Sequence, residues 1–508
     1  MKMATPQTTQ ANQITLTSNR QLMIKFIMLL GCYFTLHIVL RVFLSDSLDY
    51  DEAEQALLGQ WLLPGYTEQP PLYTWIQHGL FRLLGENVLA VSLLKNSLLF
   101  FTYVFVFLSG KAILEDTRLA ILAACSLLFI PQIGWESQRD MTHTTLVVCA
   151  AAASFWQSLR LVKNQNFVNY CIFGLLLSIG ILGKANFALF IATLLLTMLT
   201  FSEGIKTILS PRFLMSILVV ALLTGPYFLW MYNNQDIVFS VTHKFKFALE
   251  NYQMQGIISL LSKVFLFLTP MWLIFLLIFP AGFVRNQNPQ ADFHHQYIKR
   301  YLLILFLLLL IVVLVFKVTY VKDRWLQPLL FVVPLFFFSR LDPSLISLKR
   351  FKIFLSVIAF TATAVYIAFT IRVAGASYID RFTRLNYPFT AIADDLRQSG
   401  FSNGLIMSNN RFLAGNMRIQ FPESTALIPG YKFGSRTAAH NFTAAAVLWE
   451  ADLFPAMPPE LESFLKKTYN VVPTAYPVTY FEHQYKYGRT ETIKFAVVQF
   501  PLPDSPKN

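Results

Sequence analysis

The chain is poor in charged residues, which make up 14% of its 508 residues, whereas 55% are apolar. Soluble domains average about 25% charged residues, so this composition excludes a single water-soluble globule. Cysteine is also scarce: the four cysteines, Cys32, Cys125, Cys149 and Cys171, lie in apolar stretches and lack CxxC or metal-ligand spacing. Neither a disulfide framework nor a cysteine metal site is therefore expected.

Nucleotide-binding motifs are missing as well. The segment 178–185 ends like a phosphate-binding loop, but it lacks the first glycine and the final Ser or Thr, and it lies in an apolar run. No GxGxxG motif opens a helix after a strand. We therefore expect no nucleotide cofactor. The net charge of +13 does not indicate a nucleic-acid partner, because basic loops of membrane proteins produce the same total.

Long apolar runs dominate the first three quarters of the chain. A membrane-spanning helix needs roughly 20 mostly apolar residues. About eleven stretches qualify as candidate spans: 22–44, 88–109, 119–133, 141–159, 167–182, 187–201, 213–232, 257–283, 301–316, 325–339 and 351–373. The sequence predicts an α-helical polytopic membrane protein.

The loop charges predict the orientation of these spans. With the N-terminus inside, the inside loops carry more Lys and Arg than the outside loops before residue 374, as the positive-inside rule requires. The first outside loop, 45–87, is acidic. An odd number of spans then places residues 375–508 outside.

The predicted domains differ in character. Residues 1–20 are polar and read as a disordered cytoplasmic tail. Residues 21–374 form the transmembrane domain. In 375–508, strand-like runs such as 404–408 and a helical pattern over 388–399 predict a small extracytoplasmic α/β domain.

Carboxylates crowd the first outside loop, at 49–54 and again at Glu68. Like charges this close repel, so the pKa of at least one should rise unless a cation or metal lies among them. A carboxylate with a raised pKa suits a general base that acts on a hydroxyl. The alternative is an ordinary solvated acidic loop. The four aromatic residues over 61–75 favour a loop that lies along the membrane interface instead.

The loop also carries a recognisable motif. Asp51-Glu52-Ala53, about a dozen residues of amphipathic helix, and then Gly65-Tyr66-Thr67-Glu68-Gln69-Pro70-Pro71-Leu72 resemble the first outside loop of the C-type (GT-C) integral-membrane glycosyltransferases. More narrowly, the loop resembles that of the bacterial branch of the protein-mannosyltransferase and lipid A aminoarabinose-transferase superfamily. Further matches are Arg139-Asp140, Gly180–Lys184 and Asp323–Pro328. Gln69 stands where the aminoarabinose branch has Lys, and Glu54-Gln55 where it has Arg-Tyr, which argues against assuming aminoarabinose as the sugar or a metal site like that branch's.

The resemblance implies roles for six residues. Asp51, assisted by Glu52, would be the general base. Lys184 and Arg324 would bind the donor phosphate, although cationic residues at span ends also simply snorkel to lipid headgroups. Glu68 and Asp140 would orient the acceptor or, with Asp51, hold a divalent metal ion. The sequence does not divide these roles.

The implied partners are a sugar on a polyprenyl phosphate, membrane lipids, and an acceptor that is a glycolipid such as lipopolysaccharide or lipid A, a glycan, or a protein. The implied location is the bacterial inner membrane with the site on the periplasmic side. A transporter, a lipid-linked glycan flippase or a ligase is the alternative. The predicted topology places the candidate residues on one face rather than in mid-membrane, which favours an enzyme.

Overall fold

The fold is taken from a computed structural model, which describes residues 6–239, 252–280, 289–341, 346–431 and 442–502. The chain divides into two compact units. Unit 1 comprises Met1–His37, Asn96–Gln138 and His143–Ala364, and unit 2 comprises Ile38–Lys95, Arg139–Thr142 and Val365–Asn508. The first outside loop therefore belongs to the same unit as the C-terminal segment.

Helices make up most of the described chain. In chain order they are α1 (Pro6–Leu44), α2 (Tyr50–Leu58), α3 (Leu72–Leu84), α4 (Val88–Leu114), α5 (Thr117–Cys125), α6 (Ser137–Asp140), α7 (His143–Lys163), α8 (Phe167–Ile181), α9 (Phe187–Leu199), α10 (Ser202–Ile208), α11 (Phe213–Asn233), α12 (Gln235–Phe239), α13 (Tyr252–Leu268), α14 (Met271–Ile278), α15 (Pro289–Val315), α16 (Asp323–Leu330), α17 (Val333–Phe338), α18 (Leu348–Ala374), α19 (Phe389–Gln398), α20 (Arg411–Gln420) and α21 (Pro459–Tyr469). The strands are β1 (Leu405–Ser408), β2 (Thr425–Leu427), β3 (Ala444–Glu450), β4 (Val478–Gln484) and β5 (Thr492–Pro501).

The helices confirm a polytopic membrane protein but not eleven spans. Among the described residues, six helices are long and apolar enough to span (α1, α4, α7, α11, α15 and α18), or nine segments if each of three bent pairs counts as one. The predicted run 167–182 forms the 15-residue α8. The run 325–339 falls on two short helices, α16 and α17, and Pro334 lies in the first turn of α17, where a proline favours a helix start over the continuation of a preceding helix. The part of 257–283 beyond residue 280 lies outside the described residues.

Unit 1 has an aromatic core. Phe155 is fully buried and contacts the rings of Tyr297, Tyr301 and Phe331 at 5.7–6.1 Å between centroids. Many large apolar side chains of the spanning helices are exposed, Leu222 and Phe360 among them. That distribution is expected of helices that face lipid rather than water.

Unit 2 contains a five-stranded mixed sheet with the order β2-β1-β3-β5-β4. The pairs β2–β1 and β1–β3 are parallel, and β3–β5 and β5–β4 are antiparallel. In register, Met407 of β1 lies beside Val447 of β3, which lies beside Val498 of β5. This sheet confirms the predicted small α/β segment.

The central strands of the sheet contribute side chains to two cores, because alternate side chains of a strand point to opposite faces. Leu405 and Met407 of β1 belong to a core that includes Leu461 of α21. Ile406 belongs to a second core that includes Ala53 of α2 and Phe81 of α3. The first outside loop thus supplies part of the core on one face of the C-terminal sheet.

Candidate active site

The N-terminus of α2 is fixed by a capping box. Asp49 precedes the helix and its Oδ1 accepts a hydrogen bond from the Tyr50 amide at 2.8 Å, while Glu52 Oε2 accepts from the Asp49 amide at 3.1 Å. This reciprocal pattern of an N-cap side chain and a Glu three residues later is a common helix start. It presents Asp51 in the first turn of α2, where the helix dipole favours a negative charge.

Glu52 lies in a buried ion triad. Its Oε2 is 2.8 Å from Arg41 Nη2 and its Oε1 is 2.7 Å from Lys95 Nζ, and the side chains of Glu52 and Lys95 are each 1% exposed. Burial alone would raise the pKa of Glu52, but the two adjacent cations hold it well below its ordinary value. Glu52 is therefore a permanent anion that anchors α2.

Asp49 and Asp140 share one cation, Arg384, and Asp49 has a second, Arg372. Asp49 lies 3.1 Å from Arg384 Nη1 and 3.5 Å from Arg372 Nη2. The same Nη1 of Arg384 lies 3.9 Å from Asp140 Oδ2. Both arginines belong to the segment that begins at Val365 in unit 2. The C-terminal segment therefore supplies charges to the first loop.

Asp51 and Asp140 lie next to each other. The Asp51 amide donates a hydrogen bond to Asp140 Oδ1 at 3.0 Å, and the charges of Asp51, Asp49 and Glu52 all act on the Asp140 carboxylate. We call Asp49, Asp51, Glu52 and Asp140 the carboxylate cluster. Four cations, Arg41, Lys95, Arg372 and Arg384, lie against it. The half-buried Asp51 side chain thus lies in a site of fixed, alternating charges.

Polar groups on α2 and α3 extend the site. Burial raises the pKa of the Tyr73 hydroxyl, and the negative charges of Glu52 and Asp51 raise it further. Burial also raises the pKa of Glu54, an effect that the Arg411 charge opposes. Tyr431 donates a hydrogen bond to Glu54 at 3.0 Å. Tyr73 is therefore a neutral phenol that can act as a hydrogen-bond donor but not as an anion.

The structure brings together three of the six predicted site residues. Asp51, Glu52 and Asp140 belong to the carboxylate cluster. Glu68 lies half-buried in the loop between α2 and α3 of the same unit. Lys184 and Arg324 belong to unit 1, where Lys184 Nζ donates to Thr144 Oγ1 at 2.7 Å and Arg324 is exposed in the first turn of α16.

The predicted metal ligands do not form a metal centre by geometry. Across the part of the chain that the structure describes, no group of three or more His, Cys, Asp or Glu side chains is arranged to hold a metal ion. The trio of Asp51, Glu68 and Asp140 therefore does not fit a divalent ion as placed. We assign no step to a metal, and its requirement stays a prediction.

The four cations of the site were not among the predicted site residues. Arg41 and Lys95 lie inside apolar runs, and an ionisable residue in such a run is a signal for a buried partner. Arg372 and Arg384 lie more than 300 residues from Asp49 along the chain, and no local pattern pairs them with it. Asp49 lies outside the motif, but a Glu three residues after an Asp is the sequence pattern of a capped helix start.

Known proteins resemble this chain over most of its length. Residues 68–230 match the family described as dolichyl-phosphate-mannose-protein mannosyltransferase. The lipopolysaccharide core galacturonosyltransferase RgtA of Rhizobium johnstonii is 31% identical over 414 residues, which cover 80% of this chain and 82% of RgtA. RgtB, a lipopolysaccharide core galacturonosyltransferase of the same organism, is 30% identical over 488 residues, which cover 93% of this chain and 96% of RgtB.

A solved structure shares the fold. The crystal structure of ArnT from Cupriavidus metallidurans bound to undecaprenyl phosphate has a TM-score of 0.57 and 12% sequence identity, and the match covers 94% of this chain and 97% of that chain. Together with the two curated relatives, this similarity identifies the class of protein. The chain belongs to the GT-C family of integral-membrane glycosyltransferases, which confirms the resemblance first seen in the 51–72 motif.

Proposed function

We propose that this glycosyltransferase moves galacturonic acid from a polyprenyl phosphate to the core of lipopolysaccharide. The observation that carries the proposal is the similarity to RgtA and RgtB at 30–31% identity over most of the chain. The ArnT structure, which was solved with undecaprenyl phosphate, supports the lipid donor. The transporter alternative lacks such support, because the relatives are named as transferases.

In the proposed reaction, Asp51 accepts the proton of an acceptor hydroxyl. The hydroxyl oxygen forms a bond to the anomeric carbon of the donor sugar, and the bond from that carbon to the phosphate oxygen breaks. The products are the glycosylated acceptor and the free polyprenyl phosphate, with the proton on Asp51. Glu52 keeps α2 in place through Arg41 and Lys95, so that Asp51 needs no rearrangement before it reacts.

Negative charge builds up on the departing phosphate. We assign its stabilisation to Lys184 and Arg324, since fixed cations aimed at a developing charge lower the barrier of such a transfer. Asp140 binds the Asp51 amide and so fixes the orientation of the base. Glu68 contributes to the binding of the acceptor.

The proposal places the site on the periplasmic side of the bacterial inner membrane. The excess of basic residues in the predicted inside loops is its support. An alkaline phosphatase fused after Asn508 should be active, and a green fluorescent protein fused there should be dark. The reverse pattern would contradict the orientation.

The transfer itself is tested with purified protein. Detergent-solubilised enzyme is incubated with polyprenyl-phosphate galacturonic acid, radiolabelled in the sugar, and with core lipopolysaccharide that lacks galacturonic acid. The expected result is label in the lipopolysaccharide, with polyprenyl-phosphate galactose as a poor matched donor. Label that stays on the lipid, or that enters protein only, would contradict the proposal.

A further inference from the structure

Two arginines of the C-terminal segment flank the residue next to the proposed base. The guanidinium carbon of Arg384 lies 4.9 Å from the centre of the Tyr50 ring, and that of Arg411 lies 4.3 Å from it. Tyr50 directly precedes Asp51 in α2. The ring therefore gathers two positive charges close to the carboxylate cluster.

The two arginines differ in their ion pairs and in the exposure of their guanidinium groups. Arg411 forms an ion pair with Glu54, which is 8% exposed. Arg384 is 50% exposed and reaches Asp49 and Asp140 with a single nitrogen, Nη1. A guanidinium carries five N–H donors in a planar fork. Within the described residues, Nη2 and Nε of Arg384 make no hydrogen bond to the protein, and the side chain is half-exposed, so this edge of the fork is available to a ligand.

The backbone around Arg384 is rigid. The buried Asn386 accepts a hydrogen bond from the Thr383 amide at 2.9 Å and donates to the carbonyls of Val373 at 2.8 Å and Lys486 at 3.0 Å. These bonds fix the 3₁₀ turn Arg384–Asn386 on both sides. A binding group on a fixed turn loses little conformational freedom when its ligand binds.

A purely structural role does not account for Arg384. Asp49 already caps α2 and has Arg372 as a second cation at 3.5 Å. Arg384 pairs with Asp49 and Asp140 through Nη1 alone, so the pairing does not use the outer edge of its half-exposed guanidinium. Its position beside the base instead suits recognition of a planar anion, which a guanidinium can bind with two parallel hydrogen bonds.

We propose that Arg384 binds the carboxylate of the uronic acid sugar and so determines the enzyme's preference for an acidic sugar, with Arg411 adding a second positive charge across Tyr50. This inference rests on the proposed function. In this proposal the exposed edge of the guanidinium binds the carboxylate of the sugar, not the phosphate of the donor. The two anions can be told apart with two donors that both carry the phosphate but differ in the sugar carboxylate.

The test compares polyprenyl-phosphate galacturonic acid with polyprenyl-phosphate galactose in the same preparation. The wild-type enzyme should prefer the acidic donor. Arg384→Gln should lower the ratio of kcat/KM for the acidic donor to kcat/KM for the neutral donor by about 10–100-fold, the effect of losing hydrogen bonds to a charged group. Any loss caused by the missing cation beside Asp49 and Asp140 is common to both donors and cancels in this ratio. The ratio between donors cancels any loss of folded protein. Arg384→Lys, which keeps the charge but not the fork, should lie between the two.

Arg489→Gln is the matched control, because Arg489 is also exposed and lies over a tyrosine ring, that of Tyr378 at 4.4 Å. It should keep the wild-type ratio. An unchanged ratio in Arg384→Gln would overturn the inference. An equal loss with both donors would overturn it too, since it would assign Arg384 to the phosphate or to the cluster alone. A wild-type enzyme that prefers galactose would instead contradict the proposed sugar.

Discussion

Replacing Glu52 with Gln tests whether the buried ion triad holds the first loop in place. The substitution keeps the size of the side chain but leaves Arg41 and Lys95, which are 5% and 1% exposed, without their anion. Removing one member of a buried pair costs about 3–5 kcal/mol, because the remaining charge stays desolvated. We expect the free energy of unfolding of unit 2 to fall by about that amount at pH 7.

The pH dependence of the free energy of unfolding is a second test of the contribution of Glu52. The pKa of Glu52 is lower in the folded protein than its ordinary value of 4.5, so its stabilising contribution is present above pH 4.5 and is lost as the pH falls below that value. The Glu52→Gln protein lacks this contribution at every pH. The difference in stability between wild type and variant should therefore shrink below pH 4.5.

Thermal unfolding in detergent, followed by tryptophan fluorescence, is a suitable assay because Trp449 is buried in unit 2. Asp394→Asn is the control, since its ion pair with Arg397 is exposed and should be worth at most about 1 kcal/mol. Adding Lys95→Met to Glu52→Gln should recover part of the loss. A Glu52→Gln protein that melts like wild type at pH 7 would refute the reasoning.

Two further substitutions test the packing of α2 and the role of the predicted donor site. Gly415→Ala would force a methyl group against the Ala53 carbonyl and should lower the free energy of unfolding by about 1–3 kcal/mol. Gly79→Ala, in open space on α3, is the control and should be neutral or stabilising. Equal melting temperatures of the two variants would contradict this packing. Lys184→Ala should lower kcat with the labelled donor by about 10²-fold with little change in melting temperature, and normal turnover would remove Lys184 from the phosphate site.

The sequence predicted the anions of the site better than its cations. Asp51 and Glu52 are adjacent in a motif that resembles a known family, and Arg139-Asp140 is a further match to that family, so the resemblance was enough to select them. The partners Arg372 and Arg384 come from the C-terminal segment, and tertiary folding brings them to Asp49. Pairings across such distances depend on tertiary packing, which periodicity does not encode.

The grouping of the first loop with the C-terminal segment was also not predicted. All four residues of β1 are buried, which indicates a strand covered on both faces, but a buried strand does not reveal what covers it. One face of β1 packs in a core that includes Ala53 of α2. Helix α2 in turn packs on α20, where Gly415 leaves room for the Ala53 carbonyl. The predicted number of spans is not confirmed, since apolar composition alone does not distinguish a full span from a short helix.

We propose that Asp51 removes the proton from the acceptor hydroxyl, and the turnover of the Asp51→Asn enzyme measures this role. The assay measures transfer of labelled galacturonic acid from the polyprenyl phosphate to lipopolysaccharide at saturating donor, with Asp394→Asn as control. We expect turnover of Asp51→Asn to fall by about 10²–10⁴-fold at an unchanged melting temperature, and the control to turn over like wild type. Turnover of Asp51→Asn within a few-fold of wild type would contradict it.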